Sequence, residues 1–256
     1  MNSERYLVCC EETTIIPEIG HLEAQWTRLG VLLNCEPACD EPDLERVLLA
    51  TTSGLRSNSR LLPLVVTWLV QYGDFVAKHR LKALAAELEP VDQATLGLLL
   101  ECALVHNAAP DLRLAAAACR ALTTPQPLFD VHRSAAALAA IAHRTAIPLS
   151  RRWGLWCPEV ELKSDAVRPV DWLLHWNPSY RSRIIRKGDL RCSILEALRH
   201  DVAGQANSEA AVAHLSGATR AAVRKALAAL VLEGEVVVTK RPGNLRDKSV
   251  TLRRVA

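Results

Sequence analysis

The sequence predicts a mainly α-helical fold, with a helical N-terminal domain followed by a small α+β domain that ends in a β-hairpin. Ala and Leu dominate the chain and aromatic residues make up only 4% of it, which favours helices over sheet. Apolar residues recur at three- and four-residue steps through most of the length. Runs typical of strands, EVVVTK and SVTLRRV, stand near the C-terminus. Half of the residues are apolar, so a substantial core is expected.

The first elements are predicted from apolar spacing and from proline and glycine. Residues 1–20 fit a strand, a helix start or a loop. Residues 21–33 are predicted to be helical, with a buried stripe of Trp26, Leu29, Leu32 and Leu33. A second helix is predicted at 44–49, after Pro42 and Asp43. The segment TTSGLRSNSR (51–60) is typical of a solvated loop, in which Arg56 and Arg60 are secondary candidates for phosphate contact.

Several helices are predicted between residues 61 and 149. The run 61–88 is helical with a break or kink at Gly73, and a core stripe of Trp68, Tyr72, Phe75 and Val76. An aromatic ligand pocket is the alternative for that stripe. Two more helices are predicted at 92–106 and 111–122, and an Ala-rich helix within 131–146 is a candidate packing or dimer surface. We therefore predict a helical domain over 1–149 for dimerisation, effector binding or partner binding.

Residues 150–188 are predicted to form an ordered connector. They hold four of the six tryptophans and several prolines, whereas a flexible linker would be rich in Gly and Ser. We expect this segment to pack against the domains on both sides, with the C-terminal domain covering 189–256.

Cysteine usage and hydropathy indicate a reduced, cytoplasmic protein. The eight cysteines include no C-x-x-C pair and no zinc-finger spacing, so we predict no metal and no cofactor. Cys35 and Cys39 have a spacing that a metal pair permits, and Cys9 and Cys10 are candidates for redox sensitivity, but reduced structural thiols are the expectation. No signal peptide is recognisable, and no apolar run reaches the roughly 18 residues that span a bilayer.

The C-terminal run has the most informative order of elements. A helix from Asp189 carries apolar residues on one face. A short helix follows an N-cap at Asn207 or Ser208, and Gly217 marks a turn. A longer helix then ends at Gly234, and its predicted buried face comprises Val223, Leu227, Leu230 and Val231. The loop RPGNLRD joins the two strands.

This order, best seen in AAVAHLSGATRAAVRKALAALVLEGEVVV, resembles the winged helix-turn-helix domain of MarR-like and ArsR-like transcriptional regulators. The resemblance covers about the last quarter of the chain and implies that the third helix enters the DNA major groove while the two-stranded wing contacts backbone or minor groove. The implied base contacts are Thr219, Arg220, Arg224 and Lys225. The implied phosphate or minor-groove contacts are Ser208, Lys240, Arg241, Asn244, Arg246 and Lys248. The basic run before the domain adds candidate phosphate contacts at Arg181, Arg183, Arg186 and Lys187.

Charge distribution independently favours a nucleic-acid partner. Residues 181–256 contain fifteen Lys or Arg against seven Asp or Glu, a balance of +8, whereas the whole chain carries +3. A basic module joined to an acidic remainder is typical of a DNA-binding domain. We therefore predict a bacterial DNA-binding regulator, a repressor that acts as a homodimer on double-stranded DNA. Two alternatives stay open: a winged-helix protein-interaction subunit, and an enzyme with dispersed catalytic residues, for which no catalytic motif is present.

Overall fold

The computed structural model describes the backbone of residues 19–241 and 244–253, and the side chains of residues 20–239 and 248–253. Over these ranges the chain is mainly α-helical, with a small sheet near the C-terminal end, which confirms the predicted fold class. None of the helices in the described ranges combines the length and the apolar composition needed to cross a bilayer.

Within the described residues, ten α-helices and two short strands precede the C-terminal unit. The helices are α1 (Ile19–Arg28), α2 (Leu44–Ser57), α3 (Leu61–Tyr72), α4 (Lys78–Ala85), α5 (Pro90–Val105), α6 (Arg113–Ala116), α7 (Ala136–Thr145), α8 (Pro148–Arg152), α9 (Val170–Trp176) and α10 (Arg181–Arg186). The strands β1 (Gln126–Pro127) and β2 (Leu155–Trp156) pair in parallel.

The helical core is organised around two tryptophans. The rings of Trp26 and Trp68 meet edge to face with centroids 5.6 Å apart, and both side chains are fully buried. Each indole N–H has a partner: Trp26 donates to the Thr51 hydroxyl at 2.9 Å, and Trp68 donates to the Leu29 carbonyl at 2.8 Å. Satisfying both polar tips lets these large rings contribute their apolar area without an unpaired donor.

The predicted loop at 51–60 is wrong, because α2 continues to Ser57. The hydroxyl of Thr51 donates to the Val47 carbonyl at 2.7 Å, so this polar residue bonds within the helix instead of ending it. Gly54 lies where a Cβ atom would stand 2.5 Å from a methyl group of Leu22, so the glycine lets α1 approach closely. Tertiary packing therefore explains the small residues of this segment.

Two further predictions concern how helices end. The stripe of the first helix is only partly right: Trp26 and Leu29 are buried, but α1 ends at Arg28 and Leu32 is exposed. The predicted break at Gly73 is confirmed, because α3 ends at Tyr72 and a 3-10 turn, Gly73–Phe75, leads towards α4.

Residues within 150–188 belong to the same core as the preceding helices. The ring of Trp153 covers Gly97 of α5 so closely that a Cβ atom there would overlap it. Leu155, Leu173 and Tyr180 are also buried in this core. The apolar cluster therefore continues across the predicted boundary at residue 149.

The C-terminal unit has its own small core. Its elements are α11 (Leu190–Asp201), β3 (Gln205–Ala206), α12 (Glu209–Leu215), α13 (Arg220–Leu232), β4 (Val236–Arg241) and β5 (Asn244–Leu252). The strands form an antiparallel sheet in the order β3-β5-β4. The core residues include Ile194, Leu198, Val212, Val223, Leu227, Leu230 and Val250.

Three details of this unit differ from the sequence prediction. Strand β3 has only two residues, too few to produce a recognisable alternation. The predicted loop 241–247 is mostly strand, since β4 reaches Arg241 and β5 begins at Asn244. Val231, predicted to be buried, is exposed.

Candidate nucleic-acid interface

The solvent-facing side of α13 carries the predicted base-reading residues. Val223 and Leu227 on the opposite side are buried in the small core, which fixes the rotation of the helix. Arg220, Arg224 and Lys225 are consequently exposed. The arrangement presents a basic helix face to solvent, as a major-groove reading helix requires.

The start of α13 is fixed by a side-chain cap. The hydroxyl of Thr219 accepts a hydrogen bond from the backbone N–H of Ala222 at 3.3 Å, the usual contact of an N-cap threonine. Gly217 has a positive φ of 66° in the turn before it, a conformation that favours glycine. The predicted turn and the start of the third helix are therefore confirmed.

The preceding helix, α12, lies between α13 and the hairpin. The hydroxyl of Ser208 accepts from the backbone N–H of Ala211 at 3.1 Å, which identifies Ser208 as the N-cap. The first residue of α12, Glu209, forms ion pairs with Arg224 of α13 at 3.3 Å and with Lys248 of β5 at 3.4 Å. One carboxylate thus joins two of the predicted DNA contacts.

The hairpin is described less completely. Lys248 is partly exposed beside Glu209. The side chains of Lys240, Arg241, Asn244 and Arg246 lie outside the described residues, so their assigned contacts stay predictions.

The chain matches no family model, no curated protein and no solved structure. The role of this basic face therefore has to be argued from its own geometry and charge.

Arg183 is not a phosphate contact, in contrast to the prediction. Its side chain is completely buried and its guanidinium forms ion pairs with Glu45 and Glu196, both at 2.7 Å. It also donates to the carbonyl of Phe75 at 2.9 Å. A guanidinium held by two buried carboxylates is unavailable to solvent or to DNA.

The assignment of Arg186 is also wrong. Its side chain is almost fully buried and binds Glu233 at 2.7 Å and Glu235 at 2.9 Å, where α13 leads into β4. Arg181 and Lys187 are exposed and stay candidates. The basic run before α11 therefore divides into two buried structural arginines and two exposed cations.

Arg183 belongs to a buried ionic network that joins the C-terminal unit to the helices before it. We define the network by Asp43, Glu45, Arg80, Arg183, Glu196 and Asp201. The Arg80 guanidinium binds Asp43 at 2.6 Å, Glu45 at 2.9 Å and Asp201 at 2.9 Å, and its side chain is fully buried. Because Asp43 and Glu45 flank the start of α2 whereas Glu196 and Asp201 lie on α11, the two arginines connect both parts of the chain.

The network keeps its members charged despite their burial. Burial alone would raise the pKa of Glu196, but the charge of Arg183 and a hydrogen bond from His200 hold that pKa well below its ordinary value. Burial likewise opposes ionisation of Asp43, yet hydrogen bonding to Arg80 lowers its pKa. The pKa of Arg80 is raised above normal, because bonds to Asp43 and Asp201 outweigh desolvation.

The turn between α12 and α13 packs against α4. A Cβ atom on Gly217 would overlap the carbonyl of His79 and stand 3.1 Å from the Cβ of Ala83. The network and this close contact together hold the C-terminal unit in a defined position on the helical part.

Other candidate sites are weaker. No group of three or more His, Cys, Asp or Glu within the described ranges is placed to hold a metal ion. The Cys35 thiol lies 3.0 Å from the Thr27 hydroxyl, and Cys39 is exposed. Cys9 and Cys10 lie outside the described residues. Arg56 pairs with Asp92 at 3.5 Å and Arg60 is exposed, while the solvated loop expected over 51–60 is helix as far as Ser57.

Glu209, which contacts Arg224 and Lys248, is the residue of this surface that the sequence analysis did not single out. An acidic residue directly after an N-cap is ordinarily explained by the helix dipole, so its position gave no reason to single it out. A signal was nevertheless present, because Glu209 is the one acid between Asp201 and Glu233 in a basic module.

Proposed function

We propose that this chain is a DNA-binding transcriptional regulator that recognises double-stranded DNA through α13 and the β4–β5 hairpin. The observation that carries the proposal is the exposed face of α13, where Arg220, Arg224 and Lys225 point to solvent while Val223 and Leu227 anchor the helix. Arg can donate two hydrogen bonds to guanine in the major groove, and neighbouring exposed alanines leave room for a thymine methyl group.

The arrangement of elements supports the winged helix-turn-helix interpretation. Helices α11, α12 and α13 are followed by the hairpin, and the short β3 completes a three-stranded sheet. Lys248 places a cation on the hairpin close to α12, where a wing would approach the DNA backbone. Arg181 and Lys187 add exposed positive charge beside the unit.

Within this proposal the chain acts in the cytoplasm as a homodimeric repressor of the MarR-like or ArsR-like kind. A dimer would match the palindromic sites that such domains read. The helical part would supply the dimer contact and an effector site. One candidate is a cleft of about 450 Å³ lined by Leu104, Val105, Arg113, Cys119 and Trp153, because it combines apolar walls with an arginine.

Binding to DNA should be measured by selecting duplexes from a random pool and titrating the selected sequence over a range of salt concentrations. We expect Arg220→Ala and Arg224→Ala to weaken specific binding by about 1–3 kcal/mol each. Lys248→Ala should weaken binding to all sequences alike and reduce the steepness of the salt dependence.

Arg144→Ala is the matched control, because Arg144 is an exposed arginine at the end of α7, away from the C-terminal unit. It removes the same charge and should leave DNA affinity unchanged. If no sequence is enriched from the pool, or if Arg144→Ala weakens binding as much as Arg220→Ala, the regulator proposal fails.

The second candidate function is a protein-interaction subunit. Ile185 on α10 and Leu232 at the end of α13 are 77% and 89% exposed, an unusual state for large apolar side chains. Each directly precedes one member of the ion pair between Arg186 and Glu233, whose side-chain atoms are 2.7 Å apart. This role would be favoured if the wild type retains a protein partner and Leu232→Ser abolishes that binding without changing DNA affinity.

A further inference from the structure

Glu209 occupies an electrostatically unfavourable place for a DNA-binding surface. Its carboxylate stands between α13 and the hairpin, 3.3 Å from Arg224 Nε and 3.4 Å from Lys248 Nζ. The Glu209 side chain is only 16% exposed, whereas the Arg224 side chain is 69% exposed. A partly buried acid therefore pairs with two more exposed cations.

This contact affects specific and non-specific DNA binding differently. In a non-specific complex Arg224 and Lys248 gain only contacts with DNA phosphates. The phosphates compete with the Glu209 carboxylate for these cations, and the same carboxylate repels the phosphates. In a specific complex Arg224 can gain a bidentate contact with a base edge, which compensates for the lost pairing. A carboxylate in this position therefore weakens binding to arbitrary DNA more than binding to the specific site.

We propose that Glu209 is a specificity-determining residue, a restraint that weakens binding to arbitrary DNA by pairing with Arg224 and Lys248. The inference rests on the proposed function, since it assumes that this face binds DNA. It goes beyond that function by assigning a role to a residue that need not contact DNA itself.

The test compares the full-length wild type with Glu209→Gln on two short duplexes, one of arbitrary sequence and one selected by the protein. Gln keeps the shape of the side chain and removes the charge. We expect Glu209→Gln to bind the arbitrary duplex about threefold to tenfold more tightly than wild type at moderate salt. The ratio of specific to non-specific affinity should fall, because the selected duplex gains less.

Glu159→Gln provides the matched control, since Glu159 is exposed and follows β2 in the helical part. It changes the net charge by the same amount and should leave affinity for the arbitrary duplex within about twofold of wild type. An equal increase in both variants would overturn the proposal, because net charge would then explain the effect. Unchanged or weaker binding by Glu209→Gln would also overturn it.

Two further comparisons keep the test decisive. Glu209→Asp keeps the charge but shortens the side chain by one methylene, so we expect it to increase non-specific affinity less than Glu209→Gln does. If circular dichroism shows that Glu209→Gln does not fold, Glu209→Asp replaces it in the test. If wild type binds neither duplex, the proposed function fails. If wild type binds and the Glu209 variants match it, only the role of Glu209 fails.

Discussion

Replacing Arg183 with Met should be among the most damaging single changes to the fold. Met replaces only the stem of the arginine and has no charge, so the change leaves Glu45 and Glu196 buried without the guanidinium that now lies 2.7 Å from each. Breaking a buried ion pair by removing one partner costs about 3–5 kcal/mol, because the remaining charge is not solvated. Arg80 stays 2.9 Å from Glu45 and Arg199 stays 2.7 Å from Glu196, so we expect the lower end, about 3 kcal/mol.

Urea unfolding followed by circular dichroism measures this loss, and Arg152→Met is the control. Arg152 pairs with Glu101 at the same 2.7 Å, but its side chain is 67% exposed. An exposed pair of this kind contributes less than about 1 kcal/mol. The two variants therefore compare equal ion-pair geometry in buried and exposed surroundings.

The result that would refute this reasoning is an equal loss of unfolding free energy in the two variants. Cooperativity gives a second readout, since Arg183 joins α10 to α2 and α11. If the network couples the C-terminal unit to the helical part, Arg183→Met should broaden or divide the unfolding transition while Arg152→Met leaves it single.

Three other predictions follow from the same structure. The free energy of unfolding should fall as the pH is lowered below about 5. The reason is that the pKa values of Asp43, Glu196 and Asp201 are depressed in the folded state, so these groups bind protons more readily when the chain is unfolded. Constant stability between about pH 6 and pH 3 would contradict this prediction. Gly97→Ala should lower the unfolding free energy by about 1–3 kcal/mol, because the added methyl group overlaps the Trp153 ring. Gly20→Ala is the control, because nothing lies within 4 Å of an added Cβ atom there. Thermal unfolding of both variants should show a loss of stability only for Gly97→Ala. Alkylation of the native protein, followed by peptide mass spectrometry, should modify exposed Cys39 before Cys157 and Cys192. Burial raises the pKa of the Cys157 and Cys192 thiols to about 12, so few of these thiols are ionised and reactive. Early modification of Cys192 would show that the core around this thiol opens.

The elements that sequence predicts well are those in which local signals agree with the tertiary environment. The turn at Gly217 and three of the four predicted buried residues of α13 follow from spacing and residue type alone. Sequence also restricts the N-cap of α12 to Asn207 or Ser208, and the structure has Ser208 there. The break at Gly73 is of the same kind. In each case the local preference and the packing favour the same conformation.

Segment 51–57 was mispredicted because its composition has two physical explanations. Ser, Thr and Gly are typical of loops, but they also suit a helix that a neighbour approaches closely. The Leu22 methyl group over Gly54 decides between these explanations, and that contact joins residues far apart in sequence. No local pattern contains it.

The basic run before α11 shows the same limit for site residues. Arg181, Arg183 and Arg186 look alike in sequence, yet one is exposed and two are buried. What distinguishes Arg183 is Glu45, a partner 138 residues earlier in the chain. Which arginine reaches solvent is therefore set by the way the two parts of the chain pack together.

The position of α13 depends on residues outside the C-terminal unit. Gly217 lies directly against the His79 carbonyl, and Arg80, on the same helix as His79, anchors α11 through Asp201. Since α4 contacts both the turn and the network, a change in the helical part that moves α4 would move the start of α13 with it. The face that carries Arg220 and Arg224 is accordingly held in place by contacts with the helical part. Under the proposed function, ordering this face therefore adds no cost to DNA binding. Under the proposed function, we expect an effector that binds the helical part to change DNA affinity by moving α4, because that helix contacts both parts of the chain.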